Sequence, residues 1–314
     1  MKNKILTFIN KENLLKRGKK VIVACSGGAD SIFLLHILNL LGYECVVAHC
    51  NFHLRGEESN RDEYFVRDFC KTRNLTLLVK SFATTEYAQE NKLSIEMAAR
   101  ELRYNWFEQI RQEYNADAIA VAHHSDDSIE TILLNLLRGT GLKGICGIRP
   151  KNGYIVRPLL CVNRKEIEDY LHAQGIEYIV DSTNLENEYT RNKIRNIVMP
   201  ILREINPQID SVMLSNAENF SAAENIYKEV IEKEKSSAIT VTDDSYIVDL
   251  KAVERFTEPF TLLYECLKDF SFHPATIKTM LTAEGNTVFK TGKHVARKEK
   301  GKIIVTVRSE ELEN

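Results

Sequence analysis

The chain has 314 residues, 44% of them hydrophobic and 27% charged, with a formal net charge of −2. These are the values of an ordinary water-soluble globular protein with room for two domains, and no apolar run approaches the roughly 18 residues of a membrane span. The basic N-terminus lacks a long apolar region and a small-residue cleavage site, and the seven cysteines form no C-x-x-C pair, so a reducing cytoplasm is expected rather than secretion or a disulfide framework.

The first two-thirds alternate strand-like and helix-like segments. Val21–Cys25 reads as a strand, Ser31–Leu41 as a helix, Glu44–His49 as a second strand and Ser59–Arg73 as a second helix. Thr76–Val79, the long helical stretch Ser94–Tyr114, the strand Ala118–Ala122 and the helix Asp126–Arg138 follow. This alternation predicts an α/β fold, a parallel doubly wound sheet with right-handed crossovers. Tyr154–Arg157 and Arg164–Gln174 add a short strand and a helix, and Ser211–Lys235 reads as one long amphipathic helix. Phe256–Phe270 and Pro274–Leu281 look helical and Lys302–Val307 strand-like. A change of character near Asn206-Pro207 divides the chain into a catalytic domain, 1–208, and a smaller, mostly helical domain, 209–314.

Ser26-Gly27-Gly28-Ala29-Asp30-Ser31 sits between the first strand and its helix. A small-residue turn there exposes backbone N–H groups to an anion, and the new helix adds the positive end of its dipole. The loop lacks the Gly-Lys-Ser/Thr of a Walker motif and the further glycines of a dinucleotide fingerprint. A cradle of hydroxyls and amides without a lysine suits the grip on a pyrophosphate leaving group. The stretch resembles the pyrophosphate loop of the N-type ATP pyrophosphatases.

His123-His124-Ser125-Asp126-Asp127-Ser128-Ile129-Glu130-Thr131 follows the fourth strand. Asp126 or Ser125 can cap the next helix, and Asp127 and Glu130, three apart, share one helical face. Such a pair can hold Mg²⁺ or a substrate ammonium group, although capping and a solvated first turn also account for acids here. Basic residues are segregated: Lys2 to Lys20, Arg191, Lys193, Arg195 and Arg203, and Lys290 to Lys302. They read either as solvated faces or as contacts to a phosphate backbone. His49 and His53, without a nearby cysteine or third histidine, read as structural rather than as metal ligands.

Five blocks together resemble the tRNA(Ile)-lysidine synthase family over residues 20–205: Ser26–Ser31; Ala48–Gly56; Glu96–Tyr104; His123–Thr131 with Arg138–Gly147; and Asp181-Ser182-Thr183-Asn184 running to Arg195. Arg157-Pro158-Leu159-Leu160 with Arg164, Glu166 and Ile167 also fits. The resemblance implies ATP-dependent adenylation of the C2 oxygen of the wobble cytidine in a tRNA(Ile) with a CAU anticodon. Attack by free L-lysine and departure of AMP then give lysidine. It implies that Ser26, Gly27, Gly28, Ala29, Asp30 and Ser31 hold ATP, with Asp30 at the Mg²⁺. Asp127 and Glu130 would hold the lysine ammonium, Arg100 or Arg103 would neutralise developing charge, and Arg191, Lys193 and Arg195 would contact RNA, with His53 and Arg55 as further substrate contacts. A homodimer is one assembly compatible with this reading. Ser128 stands where many relatives carry glutamine. Long members also have a further C-terminal domain, whereas this chain ends at Asn314, as a compact member or a truncated one. The rival readings are a tRNA thiolase, which would need a sulfur-carrying cysteine, a small-molecule synthetase, and a nucleotide-binding regulator without catalysis.

Overall fold

The computed structural model describes residues 1–180 and 190–308. They divide into two units, 1–220 and 221–314, with the division inside the helix Ile209–Ala238.

The first unit is built on a six-stranded sheet: β1 (Lys20–Ala24), β2 (Glu44–Asn51), β3 (Thr76–Ser81), β4 (Ala118–Ala120), β5 (Lys151–Asn152) and β6 (Ile155–Val156), in the order β3-β2-β1-β4-β6-β5. All pairs are parallel except β5 with β6. Both faces are covered, as the near-continuous apolar character of β1 requires. Val21 and Val23 turn to one face, where they join Phe33, Leu34 and Ile37 of the helix Ala29–Leu40. Ile22, between them, turns to the other and joins Trp106, Phe107 and Ile110 of the helix Ile95–Glu113.

Strand order reverses direction at β1: the chain builds outward to β2 and β3, then returns to β4 on the other side. In such sheets ligands bind beyond the carboxyl ends of the strands at this switch point. Here the segment after β1 and the segment after β4 stand side by side, which brings Ser26–Ser31 and His123–Thr131 together although about a hundred residues separate them.

The elements read from the sequence recur with boundaries shifted by up to three residues, while the helices Lys2–Lys11 and Thr84–Glu90 have no counterpart in that reading. Ser94 caps the long helix by accepting from Met97 N at 3.2 Å. The largest difference lies at Thr190–Ile205, where the sequence reading has no element. The structure runs helically through Thr190–Lys193, a π-turn at Ile194–Val198, and Met199–Ile205. Pro200 would argue against helix on its own, but it stands in the first turn of the last piece, where the missing N–H costs little. The Asp181–Tyr189 part of the fifth motif block lies outside the described residues.

The second unit carries the end of the long helix, the helices Leu250–Arg255, Pro259–Leu267 and Pro274–Thr282, and an antiparallel sheet. That sheet comprises β7 (Ile239–Val241), β8 (Tyr246–Asp249), β9 (Thr287–Lys290), β10 (His294–Glu299) and β11 (Lys302–Val307), ordered β7-β8-β11-β10-β9. Val248, Leu262, Leu263, Ala296 and Ile303 form its core. Sequence patterning reached only β11, because the basic residues of β10 mask its alternation. Among the described residues no helix is long and apolar enough to cross a membrane.

Gly27 is held at φ 97°, and a Cβ there would stand 2.6 Å from Ile179 Cδ1 and 3.2 Å from Val66 Cγ2. Ile179 N donates to Gly27 O at 2.9 Å, so the following segment pins the loop. Gly27→Ala is expected to lower the unfolding free energy by about 1–3 kcal/mol in urea titrations. Much of that loss should persist in Gly27→Ala/Ile179→Ala, since trimming Ile179 relieves the clash but leaves the strained φ. Complete recovery would assign the effect to the clash alone.

Candidate active site

The loop after β1 is organised from within. Ser31 Oγ accepts from Ser26 N at 3.2 Å and from Gly27 N at 3.1 Å, and lies 2.9 Å from Gly28 O, to which it donates. Ser26 Oγ lies 3.2 Å from Ser31 Oγ and accepts from Gly28 N at 3.4 Å. Ser31 is therefore buried scaffolding for the cradle, while Ser26 is the exposed hydroxyl at its mouth. Ala29 and Asp30 begin the helix, with Gly28 as its N-cap.

A cavity of about 250 Å³ opens on this loop and is lined by Cys25, Ser26, Ser31, Cys50, Phe52, Arg100, Arg103, Tyr104 and His123, among others. The Arg103 guanidinium lies 5.2 Å from the Phe52 ring centroid and Arg100 lies 4.9 Å from that of Tyr104. Aromatic faces and guanidinium groups bordering a phosphate loop suit a base and its phosphates. The thiols of Cys25 and Cys50 are pushed up to about 11 and about 12 by burial, so both stay protonated near neutral pH.

A larger charged cavity of about 410 Å³ is lined by Asp126 and Glu130 of the helix Ser125–Arg138 and by Arg164, Glu168, Arg195, Arg203 and Asp210 with their neighbours. Glu130 is only 2% exposed, and Arg195 grips it twice, Nε to Oε1 at 2.6 Å and Nη2 to Oε2 at 2.9 Å. Burial raises the Glu130 pKa, Arg195 pulls it down, and the charge of Asp127 pushes it up again; the net direction is upward. Asp127 accepts from His124 N at 3.0 Å and from Arg195 Nη2 at 3.5 Å. Asp126 accepts from Arg164 N at 2.8 Å and from Arg203 Nη2 at 3.1 Å.

His124 is buried among carboxylates. Its Nε2 lies 3.7 Å from Asp30 Oδ2 and 3.5 Å from Asp127 Oδ2, and its Nδ1 lies 3.4 Å from Asp126 Oδ2. Burial favours the neutral ring, but the three acids outweigh it and raise the pKa. Asp30 itself is raised by burial, against the pull of His124 and with the push of Asp127, and its Oδ1 is buried without a hydrogen-bond partner. An orphaned carboxylate oxygen beside a phosphate loop fits a divalent cation that takes its other ligands from phosphate and water. Among the described residues no group of three or more His, Cys, Asp or Glu forms a protein-only metal site.

The structure thus brings together Ser26, Asp30, Ser31, Arg100, Arg103, Asp127 and Glu130, and gives three of the basic residues partners within the chain. Arg195, read as an RNA contact, is turned inward onto Glu130 and Asp127. Arg195 stands within the π-turn Ile194–Val198. Arg203 likewise pairs with Asp126 and Asp210. Arg55, read as a substrate contact, is bound to buried Asp62 at 3.0 Å. His53 stands beside it at φ 51°, with its N–H on Asn51 Oδ1, as part of a loop that Asn51 braces. Arg191 bonds Thr131 Oγ1 at 3.2 Å while staying half-exposed, and Lys193 is exposed. His49 donates from Nδ1 to Cys25 O at 2.8 Å, a structural hydrogen bond. The sequence reading missed Arg157 and Arg164 as site residues; both stood in a quoted block, but nothing in their spacing shows which acids or rings they meet.

Comparison with known proteins agrees with this geometry. A model described as a PP-loop domain matches residues 1–202, so the first unit is a PP-loop ATP-utilising domain. A model described as a TilS substrate binding domain matches residues 241–308. A tRNA(Ile)-lysidine synthase from Bacteroides thetaiotaomicron is 50% identical over 278 residues, covering 88% of this chain and 64% of the relative. One from Parabacteroides distasonis is 48% identical, covering 96% of this chain and 69% of the relative. The chain belongs to the tRNA(Ile)-lysidine synthase family, and it spans about two-thirds of the length of these curated relatives. The U34-tRNA thiolase NcsA from Methanococcus maripaludis shares the fold, with a TM-score of 0.58 at 16% identity over 69% of this chain and 77% of that one.

The Asp126 carboxyl gives a stability prediction. Burial raises its pKa, but His124, Arg164 N–H and Arg203 outweigh burial and hold it at about 2. A folded-state pKa below the unfolded value of about 3.9 contributes stability above that value and loses it as pH falls toward 2. Asp126→Asn is expected to cost about 1–3 kcal/mol at pH 7 in urea titrations, with the difference from wild type vanishing between about pH 4 and pH 2. A difference that stayed constant across that range would contradict the assignment.

Proposed function

We propose that this chain ligates lysine to C2 of the wobble cytidine of a CAU-anticodon tRNA(Ile), using ATP and forming lysidine in the cytoplasm. The observation that carries this reading is a cavity on the phosphate loop in the same unit as a charged cavity lined by Glu130, whose helical face half-buried Asp127 shares. The relatives' name, tRNA(Ile)-lysidine synthase, supports the same chemistry.

In the first step the cytidine O2 attacks the α-phosphorus of ATP. The new O–P bond replaces the bond to pyrophosphate, which leaves with the electron pair. The amides and the Ser26 hydroxyl of the loop grip the departing phosphates, and Arg100 and Arg103 offset charge on the phosphoryl group. Mg²⁺, when bound with ATP beside Asp30, would neutralise further phosphate charge. In the second step the lysine ε-nitrogen attacks C2, the C2–O bond breaks, and AMP leaves with the oxygen.

The nucleophile must be the neutral amine, which lies about 4–5 kcal/mol uphill of the ammonium at pH 7. Burial of Glu130 raises its proton affinity, which suits it to receive the ammonium proton. Arg195 already occupies both Glu130 oxygens, so lysine must share the carboxylates with it. A carboxylate offers about four acceptor sites, which permits that sharing. Arg164, Arg203 and Arg195 around the charged cavity suit the amino acid's own carboxylate. Thiolation is disfavoured because burial keeps the Cys25 and Cys50 thiols in the cavity protonated.

The test is pyrophosphate release from ATP with and without the CAU tRNA, together with incorporation of radiolabelled lysine. Glu130→Gln is expected to reduce lysine incorporation at least tenfold more than pyrophosphate release. Equal loss of both half-reactions would contradict the role given to Glu130.

In the second unit, register places Lys290, Arg297 and Lys302 on the solvent face of the antiparallel sheet, opposite the buried Ala296, Ile303 and Val305. We assign this face to the tRNA backbone. Reversing these three charges to Glu is expected to weaken tRNA binding and to lower the log–log salt slope by about 2–3 in filter-binding titrations. Unchanged affinity at low salt would refute the assignment.

A further inference from the structure

His123 opens the second motif, yet the chemistry above leaves its ring unused. Arg157, itself buried, donates from Nε to His123 Nδ1 at 3.3 Å and from Nη1 to Arg149 O at 2.8 Å. A guanidinium N–H can only donate, and arginine keeps its proton in proteins. Nδ1 of His123 must therefore carry the lone pair, and the single ring proton of the neutral imidazole must sit on Nε2. Nε2 has no hydrogen-bond partner among the described residues, and the ring lines a cavity. The space this ring lines is the 250 Å³ cavity that also contains Ser26, Ser31, Arg100 and Arg103.

We propose that His123 is a catalytic residue of the adenylation half-reaction, a tautomer-locked imidazole whose Nε2–H donates to a non-bridging oxygen of the α-phosphoryl group as pyrophosphate leaves. The inference rests on the adenylating function proposed above. No proton is transferred: the O–P bond to cytidine forms, the bond to pyrophosphate breaks, and the Nε2–H···O contact stabilises charge on the phosphoryl oxygens. The lock excludes His123 as a general base, because the lone pair is spent on Arg157 and the other nitrogen is already protonated. Arg157 is then a positioning residue.

The surroundings keep the ring neutral. Burial pushes its pKa down to about 4, Asp127 opposes this, and Arg157, Arg191 and Arg100 reinforce it. A neutral donor beside three guanidinium groups adds directionality at the phosphoryl oxygen without adding a further buried cation.

The experiment uses the full chain, ATP and the CAU tRNA, reading pyrophosphate release in single turnover, with ¹⁵N-histidine NMR of the same proteins. His123→Ala is expected to slow release by about 10²–10³-fold, the usual loss for one preorganised donor. His123→Gln, whose amide N–H reaches a similar position, is expected to recover release to within about tenfold of wild type. The His123 resonances are expected to report the Nε2–H tautomer from pH 8 to pH 5, and Arg157→Met to mix the tautomers and let the ring titrate. Release at the wild-type rate in His123→Ala, a glutamine variant no better than alanine, or titration of wild-type His123 near pH 6.5 would each overturn the proposal. A wild-type protein with no tRNA-dependent release would instead overturn the adenylating function, while the NMR would still report on the lock.

Discussion

Four carboxylates converge where the helix Ser125–Arg138 begins, and the site depends on how their charge is held. Asp126 is neutralised by a backbone N–H and Arg203, Asp127 by its own helix N-terminus and Arg195, and Glu130 by the two-pronged grip of Arg195. Asp30 is flanked by His124, feels Arg164 and Arg195 as well, and keeps one buried oxygen without a hydrogen-bond partner among the described residues. Buried like charges at this density would expel one another or protonate without such partners. Each partner also fixes an element: Arg164 N–H joins the next helix, Arg203 joins the start of the long one, and Arg195 closes the π-turned segment over the acids. The electrostatic arrangement and the local architecture are one structure.

The first unit holds two kinds of environment. One cavity presents the phosphate loop, aromatic rings and guanidinium groups, the chemistry that the proposed reaction asks of a site for phosphate and base. The other is of mixed charge, as the proposal asks of a site for a zwitterion. A two-step ligation needs both within reach of a single base: an oxygen must first be made a leaving group, and an amine must then be delivered to the adjoining carbon. Strand order meets the need, because the switch at β1 places both motifs at the carboxyl ends of adjacent strands.

Much of this was legible in the sequence. Val21–Cys25 with its glycine loop, and the spacing of Asp127 and Glu130, point to a phosphate site and a shared carboxylate face without any coordinates. What sequence could not show is which charges cancel. Arg195 and Arg203 stand in a segment with no acid between Tyr189 and Arg203, so one-dimensional reading turns them toward RNA; Glu130 lies 65 positions before Arg195 and Asp126 77 before Arg203, whose other partner, Asp210, lies seven beyond it. The helical run that carries them was hidden by Pro200 and by a π-turn, which has no periodic signature. Ser31 shows the converse limit: its place in the loop was legible, but the choice between binding phosphate and bracing the loop is decided by which N–H groups face it. In the second unit β10 escaped, unlike β11, because its charged residues interrupt the alternation that signals a half-buried strand.

The central claim is that the C2 oxygen of one cytidine is exchanged for the ε-nitrogen of lysine. Mass spectrometry of nucleosides from a CAU-anticodon tRNA(Ile), after incubation with this protein, ATP and lysine, tests it most directly. The account predicts one cytidine per tRNA heavier by lysine less one water, with AMP formed in equal amount. An unchanged cytidine, or one carrying sulfur in place of oxygen, would contradict it.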